Sequence, residues 1–182
     1  RKRYTAGPGW DLASPVAASM ELGSCDDPAI AFETGGQRLT GVRRDVDATE
    51  ARFESAGVNL VGQLILPKGP GPFPIVVLVH GSENTSGIWN NRLRTMFPAN
   101  GIGVFVYDKR GTGRSEGRYT QDFHVLAADA AAAMARAKVM AGLRGSQFGY
   151  QGGSQAGWVI PLAVQESGAD FSIVAFGLAE GP

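Results

Sequence analysis

The stretch "QGGSQAGW", residues 151 to 158, sets one serine among small residues, directly after an apolar run and directly before a helix-like one. A serine between a strand and a helix can project its hydroxyl from a sheet only if the backbone turns too sharply for bulky neighbours. That is the physical reason for the pattern G-x-S-x-G around attacking serines. Gly152 stands two residues before Ser154, but Ala156 takes the place two residues after it, and Gly157 follows one later. One added methyl group leaves the turn feasible. A helix starting there would turn its free amides and positive dipole end toward developing negative charge. The backbone N–H of Gln155 is then the first donor to an oxyanion. The plainer reading of Ser154 is a hydroxyl in a glycine-rich turn.

An acyl-transfer site needs a second N–H near the nucleophile. In "VLVHGS", residues 77 to 82, the amide of Ser82 is the natural donor, with His80 and Gly81 shaping the loop as Gly152 and Gly157 shape the serine turn. A third loop, "DKRGTGRSEG", is not a phosphate cradle, because Gly113 is followed by Arg114 and has no glycine five positions before it. Asp108, Arg110 and Ser115 are expected to hold that loop through hydrogen bonds to its backbone. Glu83 and Asn84 are candidates for tuning substrate choice, and Trp89 and Trp158 are expected in the core.

Serine needs a histidine to take its proton and a carboxylate to orient that histidine. After Ser154 the sequence holds Glu166, Asp170 and Glu180 but no histidine. His124, at the start of an alanine-rich helix, reads as an ordinary exposed polar residue. Cys25 is the sole cysteine, which rules out an intrachain disulfide and a cysteine-built metal site. Neither histidine belongs to an HExxH-type pair, so no metal site is expected.

The elements that must carry these loops follow from periodicity. "IVVLVH" (75 to 80) and "GVFVY" (103 to 107) read as buried strands, and "QFGYQ" (147 to 151) and "FSIVAFG" (171 to 177) as a third and a fourth strand. Between them, residues 89–99, 121–141 and 156–165 read as helices. This alternation predicts right-handed crossovers and an α/β layer sandwich. Upstream, runs around Gly35-Gly36 and "AGV" predict antiparallel hairpins, while the first 28 residues show little periodicity and are expected to wrap the surface or pack on a part outside this chain. The predicted division is an extension with a hairpin over 1–50 and an α/β domain portion over 51–182.

Composition narrows the partners. Seventeen Lys plus Arg balance seventeen Asp plus Glu, which leaves no overall charge of the kind that nucleic-acid binding requires. No window reaches the roughly 18 apolar residues of a membrane span. The start at Arg1-Lys2-Arg3, without a methionine, suggests a processed or engineered beginning with an export signal removed. A periplasmic or secreted location is therefore expected, with the cytoplasm as the alternative.

The three motifs "VLVHGS", "VYDKRGTGRSEG" and "YQGGSQAGWVIPLA" occur in register over about residues 52 to 178, and in them the chain resembles the α/β-hydrolase superfamily. Within it, the nearest resemblance is to bacterial serine esterases related to the dienelactone-hydrolase and prolyl-oligopeptidase branches. The resemblance implies cleavage of a small-molecule ester or related acyl bond through an acyl-serine, without a cofactor. Dienelactone hydrolases proper carry cysteine where Ser154 stands. The superfamily's chain order is serine, acid, histidine, so the acid, the histidine, the last strands and a cap are expected outside this chain, in a C-terminal part of the same protein. A peptidase of the prolyl-oligopeptidase type and a non-catalytic binding module are the alternatives.

Overall fold

The computed structural model describes residues 2–7, 15–24 and 26–177. Cys25 and Glu180 lie outside the described residues. The chain divides into two compact units, Arg1–Arg44 and Asp45–Pro182.

The first unit is a four-stranded antiparallel sheet in the order β1 (Lys2–Ala6), β2 (Ala18–Leu22), β3 (Ala29–Thr34), β4 (Gln37–Val42). Gly35 and Gly36, with φ of 55° and 74°, make the two-residue turn expected between β3 and β4. The expectation of an irregular first 28 residues is corrected here. β1 and β2 are strands of only five residues that pair with each other and, through β2, with β3; the alternation in β2, "ASMEL", is too short to stand out beside the Pro and Gly residues around it.

The second unit is a six-stranded sheet flanked by helices. In chain order it contains β5 (Val46–Ser55), β6 (Val58–Pro67), β7 (Phe73–Val79), α1 (Gly87–Asn90), α2 (Leu93–Ala99), β8 (Gly103–Tyr107), α3 (Phe123–Ala141), β9 (Gly145–Gly153), α4 (Ala156–Ser167) and β10 (Phe171–Ala175). The spatial order is β10-β9-β7-β8-β6-β5. β8, β7, β9 and β10 run parallel, and the hairpin β5/β6 joins antiparallel to β8. Ala56 and Gly57, both at positive φ, close that hairpin.

Strand alternation builds two cores. Ile75, Val77 and Val79 of β7 face one cluster with Phe105, Tyr107, α3 and α4, while Val76 and Leu78 face another with Val104, Val106 and Ile88. In α3 the buried stripe is mostly alanine, with Leu126 and Met134 adding bulk. Small side chains let the helix lie close to α4 and the sheet, and full burial of each of those two larger chains contributes about 1.5–3 kcal/mol. Asp122 starts α3 by accepting from the amides of His124 and Val125 at 2.9 and 3.1 Å.

Residues 89–99 differ from the single predicted helix. Asn91 is extended, and its Oδ1 accepts from the amide of Leu93 at 3.0 Å, so the chain ends α1 and begins α2. Trp89 is also not in the core: it is 72% exposed, with the Arg94 guanidinium 5.8 Å from its ring. Among the described residues no helix is long and apolar enough to cross a membrane.

β7 continues to β8 on one side, whereas its other neighbour β9 continues to β10 on the far side, so the onward connections of these two adjacent strands diverge. That is where an open α/β sheet forms a crevice at its carboxyl ends. The loops after β7, β8 and β9 are the three that the sequence singled out.

Candidate active site

Ser154 sits between β9 and α4 with φ of +55°, exposed to solvent. A left-handed backbone on a non-glycine residue costs on the order of 1–3 kcal/mol and persists only where the surroundings enforce it. Here both sides of the turn are tied. The Ser154 amide donates to the Ala175 carbonyl at 3.1 Å, and its carbonyl accepts from the Gly157 amide at 2.8 Å.

The turn is also sterically closed. A Cβ on Gly152 would fall 2.4 Å from the Ala156 methyl and 2.7 Å from the Val79 carbonyl, and one on Gly157 would fall 2.7 Å from the Gly177 Cα. Ala156 is fully buried against this gap. The departure from G-x-S-x-G thus has a structural reason: the methyl of Ala156 fits because Gly152 has none.

Val79 of β7 pairs with Gly152 of β9, so the His-Gly loop leaves the sheet beside the serine turn. Ser154, Gly152, His80 and Gly81 line one open cleft of about 330 Å³, together with Glu83 and Phe176. Gln155, Ser82 and Gly157 do not line that cleft; Gln155 instead lines a small cavity shared with His80, Tyr107 and Lys109. Gln155 is buried beneath the turn and reaches Gln121 Oε1 through its Nε2 at 2.8 Å, whereas Ser82 is exposed.

His80 is buried and its Nε2 meets the Tyr107 carbonyl, with its ring edge-on to the Tyr107 ring at 5.5 Å. Burial pushes its pKa below the ordinary histidine range, the Tyr107 hydrogen bond opposing. In this state the neutral ring donates from Nε2 to Tyr107. Gly87 lies against it: a Cβ there would fall 1.8 Å from the His80 Cε1.

The third loop braces both neighbours. Asp108, fully buried, accepts from the Ser86 hydroxyl at 2.6 Å, the Ile88 amide at 3.2 Å and the Arg114 amide at 3.0 Å. Ser115 donates its hydroxyl to the Asp108 carbonyl and accepts from the Val61 amide at 2.9 Å. Arg110 grips Asp129 of α3 through Nε at 2.7 Å and through Nη2.

Lys109, Tyr119 and Gln121 were not singled out by sequence reasoning. Lys109 is 2% exposed and donates from Nζ to the Gly81 carbonyl at 2.8 Å, with its ammonium 4.9 Å from the Tyr119 ring. Tyr119 donates its hydroxyl to the Ser82 carbonyl. The available signal was alternation: Phe105, Tyr107 and Lys109 share one side of the chain leaving β8, which directs a lysine inward at the sheet end.

Fold and crevice define an α/β hydrolase, and comparison with known proteins agrees. Residues 70–171 match the family model described as serine aminopeptidase, S33. The chain belongs to that family within the α/β-hydrolase superfamily. It is 28% identical over 138 residues to Escherichia coli esterase FrsA, an alignment covering 75% of this chain and 32% of the relative. The chain therefore spans about a third of the length of the curated relatives it matches. The fold is shared with the Anabaena variabilis dienelactone hydrolase (TM-score 0.57, 17% identity, 71% of this chain and 62% of the other). It is also shared with the Pyrococcus furiosus esterase Pf2001 (TM-score 0.53, 21% identity, 63% and 44%).

Proposed function

We propose that Ser154 is the nucleophile of a serine hydrolase that cleaves carboxylic esters. The observation that carries this reading is the left-handed backbone of Ser154, held at the carboxyl edge of a parallel sheet beside a second loop that lines the same cleft. The naming of FrsA as an esterase favours esters over other acyl bonds.

In this mechanism the Ser154 Oγ attacks the ester carbonyl carbon, and its proton passes to a histidine. The sequence has none after Ser154, so the histidine and its carboxylate partner come from residues outside this chain. Negative charge collects on the carbonyl oxygen, between the amides of Gln155 and Ser82. The C–O bond then breaks, the leaving alcoholate takes the proton from the histidine, and acyl-Ser154 remains. Water repeats the sequence, releasing the carboxylic acid and restoring the serine. No cofactor enters. His80 shapes the loop and is not the base, because its Nε2 is committed to the Tyr107 carbonyl.

A second reading is favoured by the family's description as a serine aminopeptidase, in which the same site would open a peptide amide. The two separate on turnover of p-nitrophenyl acetate against aminoacyl p-nitroanilides. The test of the shared core is labelling of the full-length protein with a fluorophosphonate, followed by peptide mass mapping. The expected result is one adduct, on Ser154, absent from Ser154→Ala; a label on another residue, or none, overturns the assignment and leaves the site as a non-catalytic binding cleft.

A further inference from the structure

The Ser82 N–H belongs to the same peptide group as the Gly81 carbonyl. A trans peptide is planar, and its C=O and N–H point in opposite directions. Whatever fixes the Gly81 oxygen therefore fixes the direction of the Ser82 N–H. Lys109 does so with a charge-assisted bond of 2.8 Å, and Tyr119 grips the next carbonyl, that of Ser82. Two successive peptides of the loop are thus held from one side.

The grip continues toward the serine turn. Gln121 donates from Nε2 to the Tyr119 hydroxyl at 2.8 Å, and Gln155 donates from Nε2 to Gln121 Oε1 at 2.8 Å. A chain of side-chain hydrogen bonds therefore runs from Gln155, which follows the serine, to the carbonyl of Ser82. Its ends are the two residues whose amides the proposed mechanism uses. The Lys109 ammonium also draws electron density from the Gly81 carbonyl and makes the attached N–H a stronger donor.

We propose that Lys109 and Tyr119 are positioning residues that clamp the Gly81–Ser82 peptide with its N–H toward the carbonyl oxygen of a substrate bound at Ser154. This rests on Ser154 being the nucleophile. Neither residue touches the reacting atoms; both act through the loop backbone.

The experiment uses the full-length protein and follows p-nitrophenyl acetate turnover, with inhibition by an alkyl trifluoromethyl ketone, whose adduct carries the oxyanion. Lys109→Met is expected to lower kcat about tenfold to hundredfold, somewhat less than outright loss of an oxyanion donor, with KM nearly constant. The ketone should lose affinity by a similar factor, and Lys109→Arg should recover part of both. Tyr119→Phe, at a half-buried position and removing only a hydroxyl, should show the same pattern at a few-fold. If Lys109→Met lacks a cooperative melt, Tyr119→Phe decides. Wild-type kcat and ketone affinity in the deciding variant, or a rise in KM with kcat unchanged, overturn the clamp. Failure of the underlying reading shows separately, as a wild-type protein that the fluorophosphonate does not label on Ser154.

Discussion

The serine turn and the His-Gly loop leave adjacent strands at paired positions, Gly152 and Val79, yet they are held by opposite means. The serine turn is fixed by what it lacks: Gly152 and Gly157 bring backbone and methyl groups too close for any further Cβ. The His-Gly loop is fixed by what reaches it, a lysine and a tyrosine from the loop after β8, 28 and 37 residues further along the chain. Local exclusion is written in consecutive residues, whereas remote grip is not. The difference explains why the first loop stands out in a sequence and the support of the second does not.

The two loops should respond differently to substitution. The largest effect belongs to the serine turn. Gly152→Val would press a branched side chain into the Ala156 methyl and the Val79 carbonyl, and over-packing of this kind costs about 1–3 kcal/mol. Fluorophosphonate labelling should be lost along with stability, as read by mass spectrometry and chemical denaturation; a stable, fully labelled variant would show that the turn does not depend on tight packing.

The His-Gly loop, by contrast, should break from a distance. Gly87→Ala puts a methyl group 1.8 Å from the His80 Cε1 and 2.8 Å from the Tyr107 carbonyl, forcing the ring off its acceptor. A loss of about 1–2 kcal/mol and a roughly tenfold drop in kcat are expected, measured by denaturation and ester turnover. Unchanged turnover would mean that His80 does not set the loop.

The smallest effect is a pH dependence. Burial depresses the pKa of His80, so the folded protein resists the proton that the unfolded chain accepts below about 6.5. Stability from this group is complete above that pH. It is lost as pH falls from there through the lower folded value, because the unfolded state binds more protons in that window. His80→Gln, which keeps a donor for the Tyr107 carbonyl, should flatten this part of the curve of melting temperature against pH. Curves of equal slope would place the acid sensitivity elsewhere.

Much of the α/β framework was legible because its causes are local. The β-branched runs of β7 and β8 are buried on both faces, and the periodic alanines of α3 form one stripe, so each pattern reports its own burial. Ser154 could be read because the turn needs small neighbours in sequence. What escaped is too short to stand out, rests on a single side chain, or depends on a partner remote in sequence. β1 and β2 are five residues each, and the alternation of β2, "ASMEL", is too brief to stand out among the Pro and Gly residues of the first 28. Asn91 splits the segment from 89 to 99 with one Oδ1, against a helical pattern on both sides. Lys109 sits in a turn whose glycines drew attention to phosphate chemistry, and only its position in space gives it a carbonyl to hold.

In the proposed mechanism one hydroxyl and two amides converge on a single point, which a crystal structure of the full-length protein inactivated by an alkyl fluorophosphonate would make visible. Phosphorus should be bonded to the Ser154 Oγ, with one phosphoryl oxygen within about 3 Å of both the Gln155 and Ser82 nitrogens. A phosphoryl oxygen turned to solvent, or held by neither amide, would contradict it.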